Sequence, residues 1–110
     1  MIVPYRHCEV RELSTGEVRA RVPIATGETL FAALTRAGVP IRTRCQGSTI
    51  CGLCWVVVLE GAELFEPVAP DEAQLLAPTI RRKGVEGPRL ACRIRMPKGV
   101  SRVVVAAELG

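Results

Sequence analysis

Four of the five cysteines in this 110-residue chain are spaced so that they could hold one metal centre. Three follow the pattern C-x5-C-x2-C within ten residues, and the fourth comes after thirty-seven intervening residues; they are Cys45, Cys51, Cys54 and Cys92. Cysteine thiolates are the ligands of structural zinc sites and of iron–sulfur clusters. Because His7 is the only histidine, a Rieske centre, which needs two histidines, is excluded.

The spacing favours a [2Fe–2S] cluster with four sulfur ligands over other uses of cysteine. One loop can supply three ligands while a distant strand or loop supplies the fourth. Gly47 and Gly52 lie within the loop, where a missing side chain lets backbone N–H groups approach the cluster sulfurs. Structural zinc remains an alternative, but zinc sites commonly use two closely spaced pairs, and Cys92 has no near neighbour. A thioredoxin-like dithiol at Cys51 and Cys54 would lack the expected helix start after a strand.

Composition predicts a single folded domain spanning residues 1–110, since 48% of the residues are hydrophobic and the length suits one core. No apolar run is long enough to span a membrane. Residues 1–10 lack the apolar stretch of a signal peptide, so we expect a cytoplasmic protein. Thiols stay reduced in that compartment, which favours metal binding over disulfide bonds for the grouped cysteines. We also expect the protein to be a monomer.

Charge is distributed unevenly along the chain, although the formal net charge is only +4. Residues 60–72 carry five acids and no base, whereas residues 81–102 carry eight bases and one acid. Such a dipolar chain could orient a charged partner. Alternatively, the acidic and basic segments are two solvated faces with no role in binding. The bases do not alternate with aromatic residues and no nucleic-acid-binding motif is present, so we expect no nucleic-acid partner.

Hydrophobic periodicity and turn residues predict an α+β fold with the element order ββ-α-(cysteine loop)-β-α-β-β. We expect a first helix that begins after Thr26–Thr29, where either threonine hydroxyl could form the N-cap. This helix should end at Gly38. A second, short helix should open at Pro70 and close at Pro78, followed by a loop. A mixed sheet packed on one main helix would bury the apolar faces of these elements. The predicted strands span residues 2–13, 18–24, 55–59, 90–96 and 100–106.

The fifth cysteine, Cys8, lies in the first predicted strand on the same face as Val10. Free cysteine is among the most buried residue types. We therefore interpret Cys8 as a small core hydrophobe rather than as a metal ligand.

The cysteine-bearing segments resemble those of the [2Fe–2S] ferredoxins, and the resemblance extends across the whole chain. The C-x5-C-x2-C spacing with Arg89-Leu90-Ala91-Cys92 is similar to the adrenodoxin-type and related bacterial members, and Cys45-Gln46-Gly47-Ser48 resembles the start of the adrenodoxin-type cluster loop. Cys51-Gly52-Leu53-Cys54 is more similar to certain bacterial ferredoxin domains. The resemblance implies a β-grasp (ubiquitin-like) fold, a [2Fe–2S] cluster near the surface, and a one-electron carrier rather than an enzyme.

The resemblance also implies redox partners, namely a flavin-dependent ferredoxin reductase and an oxygenase or cytochrome P450-like acceptor. The acidic stretch covers the place of the acidic interaction helix in the adrenodoxin-type family, where Asp71 and Glu72 align best. We therefore expect these two acids to contact a basic partner. Arg44 and Arg93 adjoin predicted ligands, and a guanidinium near the cluster should raise its reduction potential. The alternative is that both side chains point to solvent, where screening removes most of this effect. Trp55 follows Cys54 and is either a core aromatic residue or a residue that shields the cluster or marks an electron exit.

Three alternative functions remain open from the sequence. An iron–sulfur assembly or activation factor would share the cluster, as would an electron-donating subunit of one fixed oxygenase. A structural zinc-binding interaction module would use the same cysteines without redox chemistry.

Overall fold

The computed structural model describes residues 7–41, 54–96, 98 and 102–109. Five strands and two helices occur in that part of the chain, in the predicted order. They are β1 (His7–Glu12), β2 (Val18–Pro23), α1 (Leu30–Arg36), β3 (Trp55–Glu60), α2 (Pro70–Lys83), β4 (Pro88–Leu90) and β5 (Arg102–Ala107), with a 3-10 turn at Ala62–Leu64. Neither helix, within these described residues, has the length and apolar character needed to cross a membrane.

The strands form one mixed sheet in the order β2-β1-β5-β3-β4. β1 pairs in parallel with the central strand β5, and the other neighbours are antiparallel. Cys8 and Val10 of β1 are buried in the core, and Cys8 pairs with Val22 of β2. The period-two pattern of residues 18–24 predicted the N-terminal hairpin correctly. Cys8 is buried, as its residue type suggested.

Helix α1 begins directly after Thr29, whose hydroxyl accepts a hydrogen bond of 3.1 Å from the Ala32 N–H. This is the N-cap interaction that the sequence predicted for either of two threonines. Leu34 is completely buried, and burial of one leucine side chain contributes about 1.5–3 kcal/mol. The helix is followed by Gly38, which has a φ of 78°, a left-handed conformation that favours glycine.

Helix α2 is longer than the sequence predicted, because it does not end at Pro78 but continues to Lys83. An internal proline removes one backbone hydrogen bond and crowds the preceding turn. However, the buried side chains of Leu76 and Thr79 on either side of this proline hold the helix against the rest of the domain. The helix ends where Gly84 adopts a φ of 65°.

The predicted strand 90–96 is also wrong in most of its length. β4 ends at Leu90, and residues 91–93 form a turn. The carbonyl groups of Ala91 and Ile94 accept hydrogen bonds from the N–H groups of Phe31 and Leu30, both at 2.9 Å. These first-turn N–H groups of α1 have no partner within their own helix. The segment that carries Cys92 therefore caps α1 instead of extending the sheet.

Candidate metal centre

Two of the four predicted ligands lie side by side. The sulfur atoms of Cys54 and Cys92 are 3.2 Å apart, and both residues are buried, with exposed fractions of 0% and 7%. A disulfide bond is about 2.05 Å long, so these two sulfurs are not covalently joined to each other. Cys45 and Cys51 lie outside the described residues. The structure thus brings together two of the predicted sulfur ligands, which lie in distant parts of the sequence pattern.

Strand pairing explains why these cysteines meet. Cys54 directly precedes β3, and Cys92 follows β4 after one intervening residue. Trp55 of β3 pairs with Leu90 of β4, and the Ala91 N–H donates a hydrogen bond of 2.9 Å to the Cys54 carbonyl. Adjacent antiparallel strand ends therefore place both side chains at the same end of the sheet. Trp55 itself is buried in the hydrophobic core, as expected of a core aromatic residue.

A buried carboxylate on α2 holds the segment before Cys92. The Glu72 carboxylate accepts hydrogen bonds from Arg89 Nε at 2.9 Å, from Arg89 Nη2 at 3.2 Å and from the Leu90 N–H at 3.0 Å. Arg89 also donates to the Glu66 carbonyl at 2.8 Å. A buried charge is tolerated when it is paired and hydrogen-bonded in this way. The helix α2 is thereby fastened to the turn that presents Cys92.

The predicted role of Glu72 as a contact for a partner is therefore wrong. Its side chain is only 2% exposed and its carboxylate is already engaged by Arg89 and Leu90. No surface of another protein can reach it without dismantling this arrangement. The sequence contained no signal for this pairing, because Glu72 and Arg89 are seventeen residues apart and meet only through tertiary packing.

The neighbouring acid, Asp71, makes a different ion pair. Its two carboxylate oxygens accept hydrogen bonds from Arg93 Nη1 at 2.7 Å and Nη2 at 2.9 Å, and its side chain is 65% exposed. The Arg93 guanidinium lowers the pKa of Asp71 below its usual value. The same hydrogen bonds raise the pKa of Arg93, with smaller contributions from Glu72 and Cys92. Arg93 thus lies within electrostatic reach of a predicted ligand.

An open cavity of about 550 Å³ lies beside this ion pair. Arg93 lines it together with Glu72, Arg89 and apolar side chains that include Phe65 and Ile94. The cavity gives solvent access to the α2 side of the turn that carries Cys92.

Cys8 does not share the properties of the other two described cysteines. It is buried in β1, and burial is the main cause that raises the pKa of its thiol to about 12. A thiol with such a pKa stays protonated at neutral pH, and thiolate is the form that binds metals. This agrees with the interpretation of Cys8 as a core residue.

The donor set fits an iron–sulfur group. Cys54 and Cys92 present two soft sulfur donors at one point, and backbone hydrogen bonds hold both of their segments in place. Soft thiolate ligands suit iron–sulfur clusters and zinc. Both groups are compatible with the geometry at these two residues.

Residues 15–97 match the family described as 2Fe-2S iron-sulfur cluster binding domain. Among curated proteins, Chlorosome protein J of Chlorobaculum tepidum is 42% identical over 65 residues, which cover 58% of this chain and 28% of that protein. A 2Fe-2S ferredoxin of Haemophilus influenzae is 36% identical over 55 residues, which cover 50% of this chain and 49% of that protein. The chain spans less than half the length of the curated relatives it matches.

Solved structures show the same fold. A ferredoxin from Rhodopseudomonas palustris has a TM-score of 0.79 at 23% identity, covering 92% of this chain and 94% of that chain. A reduced cysteine-to-serine variant of putidaredoxin from Pseudomonas putida has a TM-score of 0.78 at 24% identity over the same shares of the two chains. The predicted β-grasp ferredoxin fold is thereby confirmed. Because the family match covers three quarters of its length, the chain belongs to the 2Fe–2S iron–sulfur cluster binding domain family and has the fold of a [2Fe–2S] ferredoxin.

Proposed function

We propose that this chain is a one-electron carrier whose [2Fe–2S] cluster is held by Cys45, Cys51, Cys54 and Cys92. The observation that carries the proposal is the 3.2 Å separation of the Cys54 and Cys92 sulfurs in a chain that matches the cluster-binding family. When bound, the cluster supplies a couple that accepts and releases one electron. Ferredoxins are electron carriers and not enzymes.

The residues around Cys92 contribute rigidity to this function. The Glu72–Arg89 pair fastens α2 to β4, and the α1 N-terminus is hydrogen-bonded to the carbonyls of Ala91 and Ile94. Two helices therefore restrain the turn that carries Cys92. Such restraint keeps the ligand sulfur in one position in both charge states of the group it binds.

The carrier acts as a single domain of residues 1–110 between a flavin-dependent ferredoxin reductase and an oxygenase or cytochrome P450-like acceptor. Two proteins of the same fold support the reductase as a partner class. One solved neighbour is a covalent complex of putidaredoxin with putidaredoxin reductase, with a TM-score of 0.76 at 24% identity. Another is the ferredoxin reductase in carbazole 1,9a-dioxygenase, with a TM-score of 0.66 at 21% identity. Asp71, at 65% exposure, is the contact that we propose for a basic partner.

The proposal is tested by spectroscopy and metal analysis of protein purified without oxygen. We expect about two iron and two sulfide per chain, visible absorption, and a rhombic EPR signal after reduction with dithionite. Cys45→Ser, Cys51→Ser, Cys54→Ser and Cys92→Ser should each lower cluster content, while Cys8→Ser should retain it. A colourless protein that holds zinc instead would overturn the proposal.

A further inference from the structure

The Asp71–Arg93 pair combines two properties that the other described ion pairs do not share. It is adjacent to a predicted ligand, because Arg93 directly follows Cys92. It is also open to solvent on its acidic side, with Asp71 65% exposed and Arg93 only 23% exposed. The Glu72–Arg89 pair is near the same turn but is buried. The Glu60–Arg102 pair is exposed, but Glu60 lies six residues beyond Cys54 along β3, about 20 Å away.

We propose that Asp71 is a positioning residue that acts through Arg93 to lower the reduction potential of the bound cluster, and that a cationic partner group docking on Asp71 reverses this effect. The proposal rests on the proposed function, since it requires a redox-active cluster beside Cys92. It adds a role that follows from the fork of two hydrogen bonds, 2.7 and 2.9 Å long, between one carboxylate and one guanidinium.

An electron adds one negative charge, which a nearby guanidinium stabilises and a nearby carboxylate destabilises. While Asp71 holds both terminal nitrogens of Arg93, its carboxylate offsets the guanidinium charge and fixes the orientation of the Arg93 side chain. Arg93 lines the open cavity, so a released side chain has room to take another orientation.

Docking of a cationic partner group on Asp71 would couple partner binding to the redox state of the cluster. A lysine or arginine of a partner that engages Asp71 removes the counter-charge of Arg93. Arg93 then favours the reduced form, so the potential rises when the partner is bound. By thermodynamic linkage, the same partner must bind the reduced carrier more tightly than the oxidised carrier, by the factor that describes the shift in potential.

The test is a double-mutant cycle on the reduction potential, measured by EPR-monitored redox titration of the cluster-loaded protein. Asp71→Asn should raise the equilibrium constant for reduction about threefold, which is about 30 mV at 59 mV per tenfold for one electron. Arg93→Gln should lower it by a similar factor. In the Arg93→Gln background, Asp71→Asn should have less than half of its effect in the original chain. Equal effects of Asp71→Asn in both backgrounds would overturn the proposal.

Two further variants separate this role from a structural one. Asp71→Ser removes the same charge with a side chain that is well tolerated near helix starts, and should give the same shift as Asp71→Asn. Glu60→Gln breaks an exposed ion pair far along β3 and should leave the potential unchanged, since the distance exceeds the Debye length of about 8 Å. A shift from Glu60→Gln as large as that from Asp71→Asn would show a non-specific charge effect and overturn the proposal.

A lysine tetrapeptide serves as the probe for the docking half of the proposal. At low ionic strength it should raise the potential of the original chain more than that of Asp71→Asn. Direct attraction between the peptide and the cluster is present in both proteins, so the difference isolates Asp71. An identical rise in both would overturn the docking role. A chain that binds no cluster would instead refute the proposed function, and the titration would then show no redox signal at all.

Discussion

Two consecutive acids on helix α2, Asp71 and Glu72, lie in opposite environments. Each pairs with an arginine of the segment around Cys92, but Glu72 is buried and Asp71 is exposed. Glu72 also accepts a hydrogen bond from the Leu90 backbone, whereas Asp71 makes contact only with a side chain of that segment. A rotation of about 100° around the helix axis separates the two positions. Burial, and not charge or sequence position, decides which acid supports the fold and which stays open to solvent.

The largest difference between the two acids should be the loss of protein stability when each is replaced by alanine. Glu72→Ala leaves Arg89 and the buried Leu90 N–H without their acceptor, and should cost about 3 kcal/mol of unfolding free energy. Asp71→Ala is the matched control, and should cost only a small fraction of that because water and salt screen the exposed pair. Urea unfolding of both variants checks this. Similar losses in the two variants would contradict the distinction between a buried and an exposed pair.

Substitution of the two arginine partners should show the same contrast, with smaller losses of unfolding free energy. Arg89→Lys loses the fork that joins Nε and Nη2 to Glu72 and Nη1 to the Glu66 carbonyl. A lysine ammonium cannot reproduce this geometry, so we expect a loss of about 2 kcal/mol of unfolding free energy. Arg93→Lys should cost far less, since its partner Asp71 is solvated. If Arg93→Lys is the more damaging change by urea unfolding, then the exposed pair contributes more to the fold than its position implies.

Salt should weaken the stabilisation from the Asp71–Arg93 pair and leave that from the Glu72–Arg89 pair. The small cost of Asp71→Ala should vanish at about 1 M salt, where the Debye length is about 3 Å. The cost of Glu72→Ala should persist, because its partners are shielded from solvent. Unfolding midpoints measured across a salt series give the comparison. A cost of Glu72→Ala that disappears in parallel with that of Asp71→Ala would indicate that Glu72 is solvated in solution.

The smallest expected effect is on proton binding by Asp71. Its folded-state pKa is below the ordinary value of 3.8, chiefly because of the Arg93 hydrogen bonds. The stabilisation is thus present above the ordinary pKa and is lost as pH falls through the lower, folded-state pKa. Carboxyl NMR titration should show this lowered pKa, and Arg93→Gln should move it back up. A pKa for Asp71 that does not respond to Arg93→Gln would show that the pair does not form in solution.

Several features of the fold followed from local pattern alone. Alternation predicted the β1–β2 hairpin, and threonine and glycine positions predicted both ends of α1. The errors arose where tertiary packing overrides local preference. Pro78 did not stop α2, because the buried residues on both sides of it hold the helix in place. Residues 91–96 did not form a strand, because carbonyl groups of this segment are used by the first turn of α1.

The amino-acid sequence by itself predicted a thiolate-held metal group, because the type and spacing of the four cysteines favour an iron–sulfur cluster and leave structural zinc as the alternative. Local periodicity also determined the order of the elements. Only the tertiary structure decided that Cys54 meets Cys92, since their contact depends on the pairing of β3 with β4. It alone decided that Glu72 supports the fold while Asp71 faces solvent, because the way in which α2 packs on the sheet sets which of two adjacent side chains is removed from water.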